Sequence, residues 1–390
     1  MDSGVGSLDG VHVVKIALVS NEYPSRPGLG GIGVFTHTLA HGLSTRGHCV
    51  TVVGVGPNAG EDDDQGIRVV TLRQSSRRGI AWLANRIRLH RWLKAGVANG
   101  EIDVIETPEH SGMLPFRLSG CPVVIRLHMA MTLLCRSAGL KPPILVRRLE
   151  RRTLSSHRNW IAVSDYVRRQ TMAEFKVTPD RSTVIYNAIE PLTERVAPPA
   201  GLPEHFVLYA GEVREQKGAF VLAEAARSFL SAFPDLHLVY CGSLLRDGGA
   251  PADGRIRQIV GSELANRVHC LGFQEHAKVM ACMERARLLA CPSKLEACSL
   301  VPIEAMTCGV PVLHTYAAGG PEVVVDGVTG LLADPEDSRD VAEKVIRILR
   351  DRELAQRLAG RAKERLNERF SLDRCIAETV SFYEAVRASR

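Results

Sequence analysis

Two hydrophobic rhythms alternate along the chain. HVVKIALVS, CVTVVGV, GIRVVTL, IDVIET, PVVIRLH and NWIAVS are short apolar, mostly β-branched runs that read as strands in the first half. Helical spacing lies between them, as in VFTHTLAHGLSTRG, which Gly47 closes. The rhythm breaks over 187–205, NAIEPLTERVAPPAGLPEH, a proline-rich stretch of weak periodicity. It then restarts, with FVLYAG, LHLVYCG, RVHCLGF, ARLLACPS and PVLHTY as strands separated by helices. Near-continuous apolar strands alternating with helices imply parallel sheets covered on both faces. The expected architecture is α/β, two doubly wound units in series. The expected spans are 1–190, a linker at 191–204, 205–371, and a C-terminal helix at 372–390 packing back across both units. A length of 390 residues suits two cores better than one.

Open parallel sheets bind ligands at the carboxyl ends of their strands, and two such sheets facing one another would make a cleft. The polar residues of interest fall at such ends. The glycines of GLGGIG (28–33) follow the first strand, and His128 ends PVVIRLH. Gly211 ends FVLYAG with Lys217 a short loop beyond, and Glu296 follows LLACPS. The richest segment is 292–335, which holds Glu296 and Glu304 around a helix start and then the pair Gly319-Gly320. Spacing alone carries nothing, because Glu101/Glu109 and Glu204/Glu212 have the same gap. The flanks carry the signal: Ser299 at the N-cap, Pro302 in the first turn, Gly309 past the end and Pro311 beyond. Glu296 is then on the loop before the helix and Glu304 about one turn inside it. Unpaired N–H groups at a helix start favour an anion, and a carboxylate can accept from two hydroxyls of a sugar or ribose. This is the layout of a nucleotide-sugar site.

Composition narrows the setting. With 45% hydrophobic and 24% charged residues the chain is globular, and no apolar run is long enough to span a membrane. The first residues, MDSGVGSLDG, do not resemble a signal peptide. Ten cysteines are scattered, with no CxxC pair and no Cys/His cluster at zinc spacing, so a reduced cytoplasmic compartment and no metal are expected. Asp62-Asp63-Asp64 reads as a solvated loop. The net charge of +6 is uneven. Residues 1–200 hold 25 Lys and Arg against 17 Asp and Glu, whereas 201–390 hold 24 against 26. The basic excess gathers in 77–96, with Trp82 and Trp92, and in 146–158. Such helices suit peripheral contact with an anionic membrane, or simple solvation with arginine stems covering apolar neighbours. No nucleic-acid motif accompanies the charge.

Taken in order, PGLGGIGVFTHTLAHGLSTRGHCVTVV, DVIETPEHSG, VVIRLH, VSDYVRR, VIYNAIE, YAGEVREQKGA and the 296–330 block resemble the retaining glycosyltransferases of group 1, the family 4-like type. Their fold is two facing Rossmann-like domains, the GT-B arrangement, with a cleft between them. The resemblance covers nearly the whole chain. It implies that Glu304 holds the ribose of a nucleotide donor and Glu296 the donor sugar. Lys217 and the backbone N–H groups of Gly31, Leu300 and Val301, with Ser299 at the same helix start, would bind the diphosphate. His128 would lie beside the donor sugar and the incoming acceptor, and His128 and Glu296 are the expected catalytic pair. No cofactor is implied, since the nucleotide-sugar is a substrate. The acceptor is a hydroxyl compound, and the basic first half favours one that is lipid-phosphate-linked, as in cell-surface polysaccharide or glycolipid assembly.

One departure stands out. Family members commonly carry arginine directly after the glycine equivalent to Gly211, and here Glu212 takes that place. Either Glu212 turns away, or Arg214 supplies the guanidinium, or activity is impaired. A binding-only homologue and a sugar-nucleotide epimerase on the same scaffold remain as alternatives. A dinucleotide oxidoreductase fits poorly, because the glycines begin seven residues after Asn21 and GVGPN offers no acid to a ribose.

Overall fold

The computed structural model describes residues 13–23, 30–77, 79–189, 195–244, 246–247 and 250–389. Gly28 and Leu29 of the glycine-rich loop, residue 190 and 191–194 of the expected linker lie outside them. The chain forms two compact units. The first comprises the described residues up to Ala162, with Gln170–Ile185 and those from Cys375 onward; the second comprises Val163–Arg169 and the described residues of Tyr186–Arg374.

The first unit holds β1 (Lys15–Val19), β2 (Cys49–Gly56), β3 (Gly60–Asp64), β4 (Ile67–Arg73), β5 (Val104–Pro108), β6 (Val123–Leu127), β7 (Asn159–Ala162) and β8 (Arg181–Val184). Their order across the sheet is β3-β4-β2-β1-β5-β6-β7-β8. All pairs are parallel except β3 with β4. That edge strand corrects one expectation. Asp62-Asp63-Asp64 is ladder rather than solvated loop, and Asp64 accepts a hydrogen bond from Tyr23 Oη at 2.8 Å. Acidic residues are depleted in strands, so no propensity announces β3; a two-residue turn imposes it by folding the chain back on β4.

The C-terminal helix Leu372–Ala388 is tied to this unit through a buried polar knot. Arg126 on β6 donates from Nε and Nη2 to the two carboxylate oxygens of Glu106 on β5, at 2.7 and 2.9 Å. Tyr383 Oη donates to Glu106 at 2.7 Å, and Arg126 donates to Thr379 Oγ1 at 3.1 Å. A buried charge without such partners would cost several kcal/mol, so the knot fixes where the helix docks.

The second unit holds β9 (Phe206–Ala210), β10 (His237–Cys241), a two-stranded ribbon of β11 (Arg246–Asp247) and β12 (Ala250–Pro251), then β13 (Val268–Cys270), β14 (Leu288–Ala290), β15 (Val312–Thr315) and β16 (Leu331–Ala333). The main sheet runs β13-β10-β9-β14-β15-β16, all parallel. Alternate residues feed two separate cores. Val207, Tyr209, Leu238, Tyr240, Leu288 and Ala290 belong to one, and Phe206, Leu208, Val239, Cys241, Leu289 and Cys291 to the other. Burial on both faces explains the continuous apolar runs. The strand order reverses between β9 and β14, and ligands of such sheets bind beyond the strand ends at that reversal.

Candidate active site

Both loops at the reversal carry the charged residues singled out above. After β9 the chain turns through Gly211 (φ +129°) and a short 3₁₀ turn, Glu215–Lys217, into Gly218 (φ +74°). A Cβ on Gly218 would stand 2.0 Å from the Pro292 carbonyl oxygen, so only glycine lets this loop approach the one after β14. The loops are stitched: Lys294 N–H donates to Gln216 O at 2.9 Å and Ser293 Oγ to Lys217 O at 3.3 Å. Lys217 Nζ then meets Glu296 Oε1 at 2.9 Å. Burial pushes the Glu296 carboxyl up, but Lys217, His314 and Ser293 outweigh it and hold the group below its ordinary range. Its side chain is only 11% exposed, so this is a charged pair in a sheltered place. His314, fully buried, donates from Nδ1 to Cys291 O at 2.9 Å, and burial pushes its pKa below the ordinary 6.5.

Helix Leu300–Cys308 follows, ending in Gly309 (φ +68°). Ser299 occupies the N-cap position, but its side chain makes no capping bond. Asn187 steers the entry instead, donating from Nδ2 to Cys298 O at 3.2 Å. The first turn therefore presents backbone N–H groups that no side chain caps. Glu304, 12% exposed, meets His276 Nε2 at 2.9 Å, and His276 is raised above its ordinary value chiefly by that hydrogen bond. The Gly319-Gly320 pair is needed for space: a Cβ on Gly319 would lie 2.2 Å from Ala297 O, and Gly319 N–H donates to Glu296 O at 3.0 Å. In the short helix Gly320–Val323, the carboxylate of Glu322 accepts N–H bonds from Asp165 and Tyr166, both at 2.7 Å. Arg214 pairs with Glu212 at 3.2 Å, so the acidic residue in the arginine position has its charge matched by its neighbour.

The first unit arranges His128 differently. The residue directly follows β6, half-buried, with its ring edge-on to Phe35 at 5.1 Å between centroids. Its backbone N–H and that of Met129 donate to the two oxygens of Glu109, at 2.9 and 2.7 Å. Met129 adopts φ +125°, a strained conformation for a non-glycine residue that the clamp holds in place. Burial, then Arg126 and His110, push His128 down to about 3, so its ring is neutral near pH 7. Burial pushes Glu109 up, against its backbone hydrogen bonds. Gly31 opens helix Gly31–Ser44, and nothing lies within 4 Å of where its Cβ would be. The carboxylate of Glu22 already accepts from Gly30 and Gly33 N–H, each at 3.2 Å.

The second unit thus brings Lys217, Glu296, Ser299, Leu300, Val301 and Glu304 to one strand-end region. Glu109 and His276 escape the sequence reading, since each acts through a partner remote in the chain.

Residues 193–365 match the glycosyl transferases group 1 family, and residues 29–191 match glycosyltransferase family 4. This chain belongs to the group 1, family 4-like glycosyltransferases. The glycosyltransferase is 26% identical to a glycogen synthase of Mycobacterium tuberculosis over 96% of its own length and 95% of that protein's. Sucrose-phosphate synthase from Thermosynechococcus elongatus superposes with a TM-score of 0.74 at 21% identity, covering 96% of this chain and 99% of that one. HepE from Anabaena, in complex with UDP and glucose, gives 0.73 at 20% identity, covering 94% and 99%. These folds agree with two Rossmann-like domains of the GT-B type, and the family match makes the chain a transferase enzyme.

Proposed function

We propose that this enzyme moves a sugar from a nucleoside diphosphate donor to a hydroxyl acceptor with retention at the anomeric carbon. The observation that carries the reading is the sheltered Lys217–Glu296 pair beside the uncapped start of helix Leu300–Cys308. In this reading a diphosphate settles on the N–H groups of Leu300 and Val301 and on Lys217, with Ser299 at its edge. Glu296 turns to hydroxyls of the sugar, and Glu304 exchanges His276 for the ribose hydroxyls. The bond between the anomeric carbon and the phosphate oxygen breaks as the acceptor oxygen bonds to that carbon on the same face. The acceptor proton passes to the departing phosphate oxygen, and a nucleoside diphosphate leaves. Lysine and helix start stabilise the developing negative charge. Gly31 and neutral His128 are the first unit's proposed contribution, His128 beside the reacting sugar. Arg214 is proposed to neutralise Glu212 rather than to grip the donor alone.

UDP and UDP-glucose in the HepE structures make a uridine diphosphate hexose the first donor to test. For the acceptor we propose a lipid-phosphate-linked hydroxyl compound met at the inner face of a membrane, as in cell-surface polysaccharide or glycolipid assembly. Leu140, Ile144 and Leu145 are 63%, 71% and 41% exposed beside Lys141, Arg148, Arg151 and Arg152, a surface suited to anionic lipid. No described helix is long and apolar enough to cross a membrane.

A thermal-shift panel of UDP, GDP, ADP and their hexose conjugates tests the donor. The true one, at 100 times its Kd, adds about 2.7 kcal/mol of stability. Product stereochemistry from the matched donor decides retention; an inverted linkage overturns it.

A further inference from the structure

One cluster in the first unit lies outside the residues proposed for sugar transfer. His37 and His41 stand one turn apart on helix Gly31–Ser44, so both rings project from the same face. Asp64 is the last residue of β3, where Gln65 (φ +54°) and Gly66 (φ +89°) form a two-residue hairpin turn. The hairpin presents that carboxylate to the helix. His41 Nε2 lies 3.1 Å and His37 Nε2 3.5 Å from the same oxygen, Asp64 Oδ2. The two rings are 4.3 Å apart between centroids, and one ligand atom from each of the three residues lies within 4.8 Å of the others. Tyr23, buried, donates from Oη to Asp64 Oδ2 at 2.8 Å.

Two imidazoles and a carboxylate are a donor set for a divalent transition ion, zinc foremost. Ligands of a four-coordinate zinc sit about 2.0–2.2 Å from the metal, which sets neighbouring donor atoms about 3.3 Å apart. The separations of 3.1 and 3.5 Å fall on either side of that spacing. The three side chains are 31%, 17% and 29% exposed, which leaves an entry path and room for water as a fourth ligand. The Tyr23 hydroxyl supplies the outer hydrogen bond by which metal-binding carboxylates are oriented. The geometry points to a zinc site made by His37, His41 and Asp64, oriented by Tyr23, that cross-links helix Gly31–Ser44 to the β3 edge. It rests on the first unit alone and stands or falls apart from the donor reading.

The test is calorimetric titration of Zn²⁺ into the full chain after EDTA treatment and dialysis, with parallel thermal melts. Wild type is expected to take one tight equivalent and to melt higher with the ion. His41→Ala and Asp64→Asn are expected to bind at least about 100-fold more weakly and to lose the thermal gain, and Tyr23→Phe about 10- to 100-fold more weakly. Co²⁺ in wild type should give the visible absorption of a four-coordinate site, lost in the same variants. If His41→Ala does not fold, His37→Gln, at a more exposed position, gives the same readout. Absence of Zn²⁺ binding, which would leave a plain imidazole–carboxylate cluster, overturns the proposal. So does equal binding by wild type and variants, which would place the ion on other histidines or cysteines.

Discussion

In the second unit Glu296 and Glu304 face side chains, Glu296 meeting Lys217 at 2.9 Å and Ser293, and Glu304 meeting His276 at 2.9 Å. In the first, Glu109 and Glu150 face backbone: Glu109 takes the N–H groups of His128 and Met129, and Glu150 those of Ser111, Met131 and Thr132. The difference separates two uses of one functional group. A side-chain partner can rotate away and be replaced by a ligand hydroxyl or phosphate, so its carboxylate is exchangeable. A carboxylate that holds several backbone N–H groups fixes a loop, and nothing can replace it without moving the chain. In the proposed function Glu296 and Glu304 serve the substrate, whereas Glu109 and Glu150, like Glu322 of the second unit, hold backbone in place.

The sharpest way to break this comparison is Lys217→Ala. It removes the cation proposed to face the leaving diphosphate, and by analogy with losing one transition-state donor kcat should fall about 10²–10³-fold. Transfer within a few-fold of wild type would show that Lys217 merely neutralises Glu296. Next in size is Glu109→Ala, which strands two N–H groups and should destabilise the first unit by about 2–4 kcal/mol in chemical denaturation. Glu109→Gln keeps one acceptor oxygen and should lose roughly half as much. If both variants melted like wild type while kcat dropped, Glu109 would be taking part in the chemistry and the contrast between units would fail. Glu304→Ala should raise donor KM about 10- to 100-fold, the worth of a charge-assisted hydrogen bond, with kcat little changed.

The same contrast explains what the chain discloses before it folds. Strands buried on both faces, such as β6 and β9, announce themselves as unbroken apolar runs. The acidic β3 has no such run. Glu296 and Glu304 are legible because the helix that begins between them carries its own start and stop residues. Glu109 is not, although its gap to Glu101 matches theirs, because the N–H groups it holds lie 19 and 20 residues onward and belong to a strained turn. Asn187 reaches Cys298 across 111 positions, and His276 reaches Glu304 across 28. The carboxylates proposed for the donor sit in a local pattern; those that hold backbone are visible only once the fold has assembled.

The smallest effect concerns His276. Its hydrogen bond to Glu304 raises its pKa above the ordinary 6.5. A group raised on folding contributes stability in full below its unfolded pKa and loses it as pH climbs through the folded value. Melting curves of the donor-free enzyme should therefore show wild type exceeding His276→Ala on the acid side of 6.5, with the gap closing on the alkaline side. The gap should be small, because the imidazole is 65% exposed and screened by solvent. Donor binding should run the other way. If ribose hydroxyls replace His276 on Glu304, deprotonating the histidine frees the carboxylate, and donor Kd should tighten as pH rises through the same window in wild type but not in His276→Ala. A Kd independent of pH in both proteins would mean that the pair is not exchanged on binding, and Glu304 would then belong with Glu109 among the carboxylates committed to the fold.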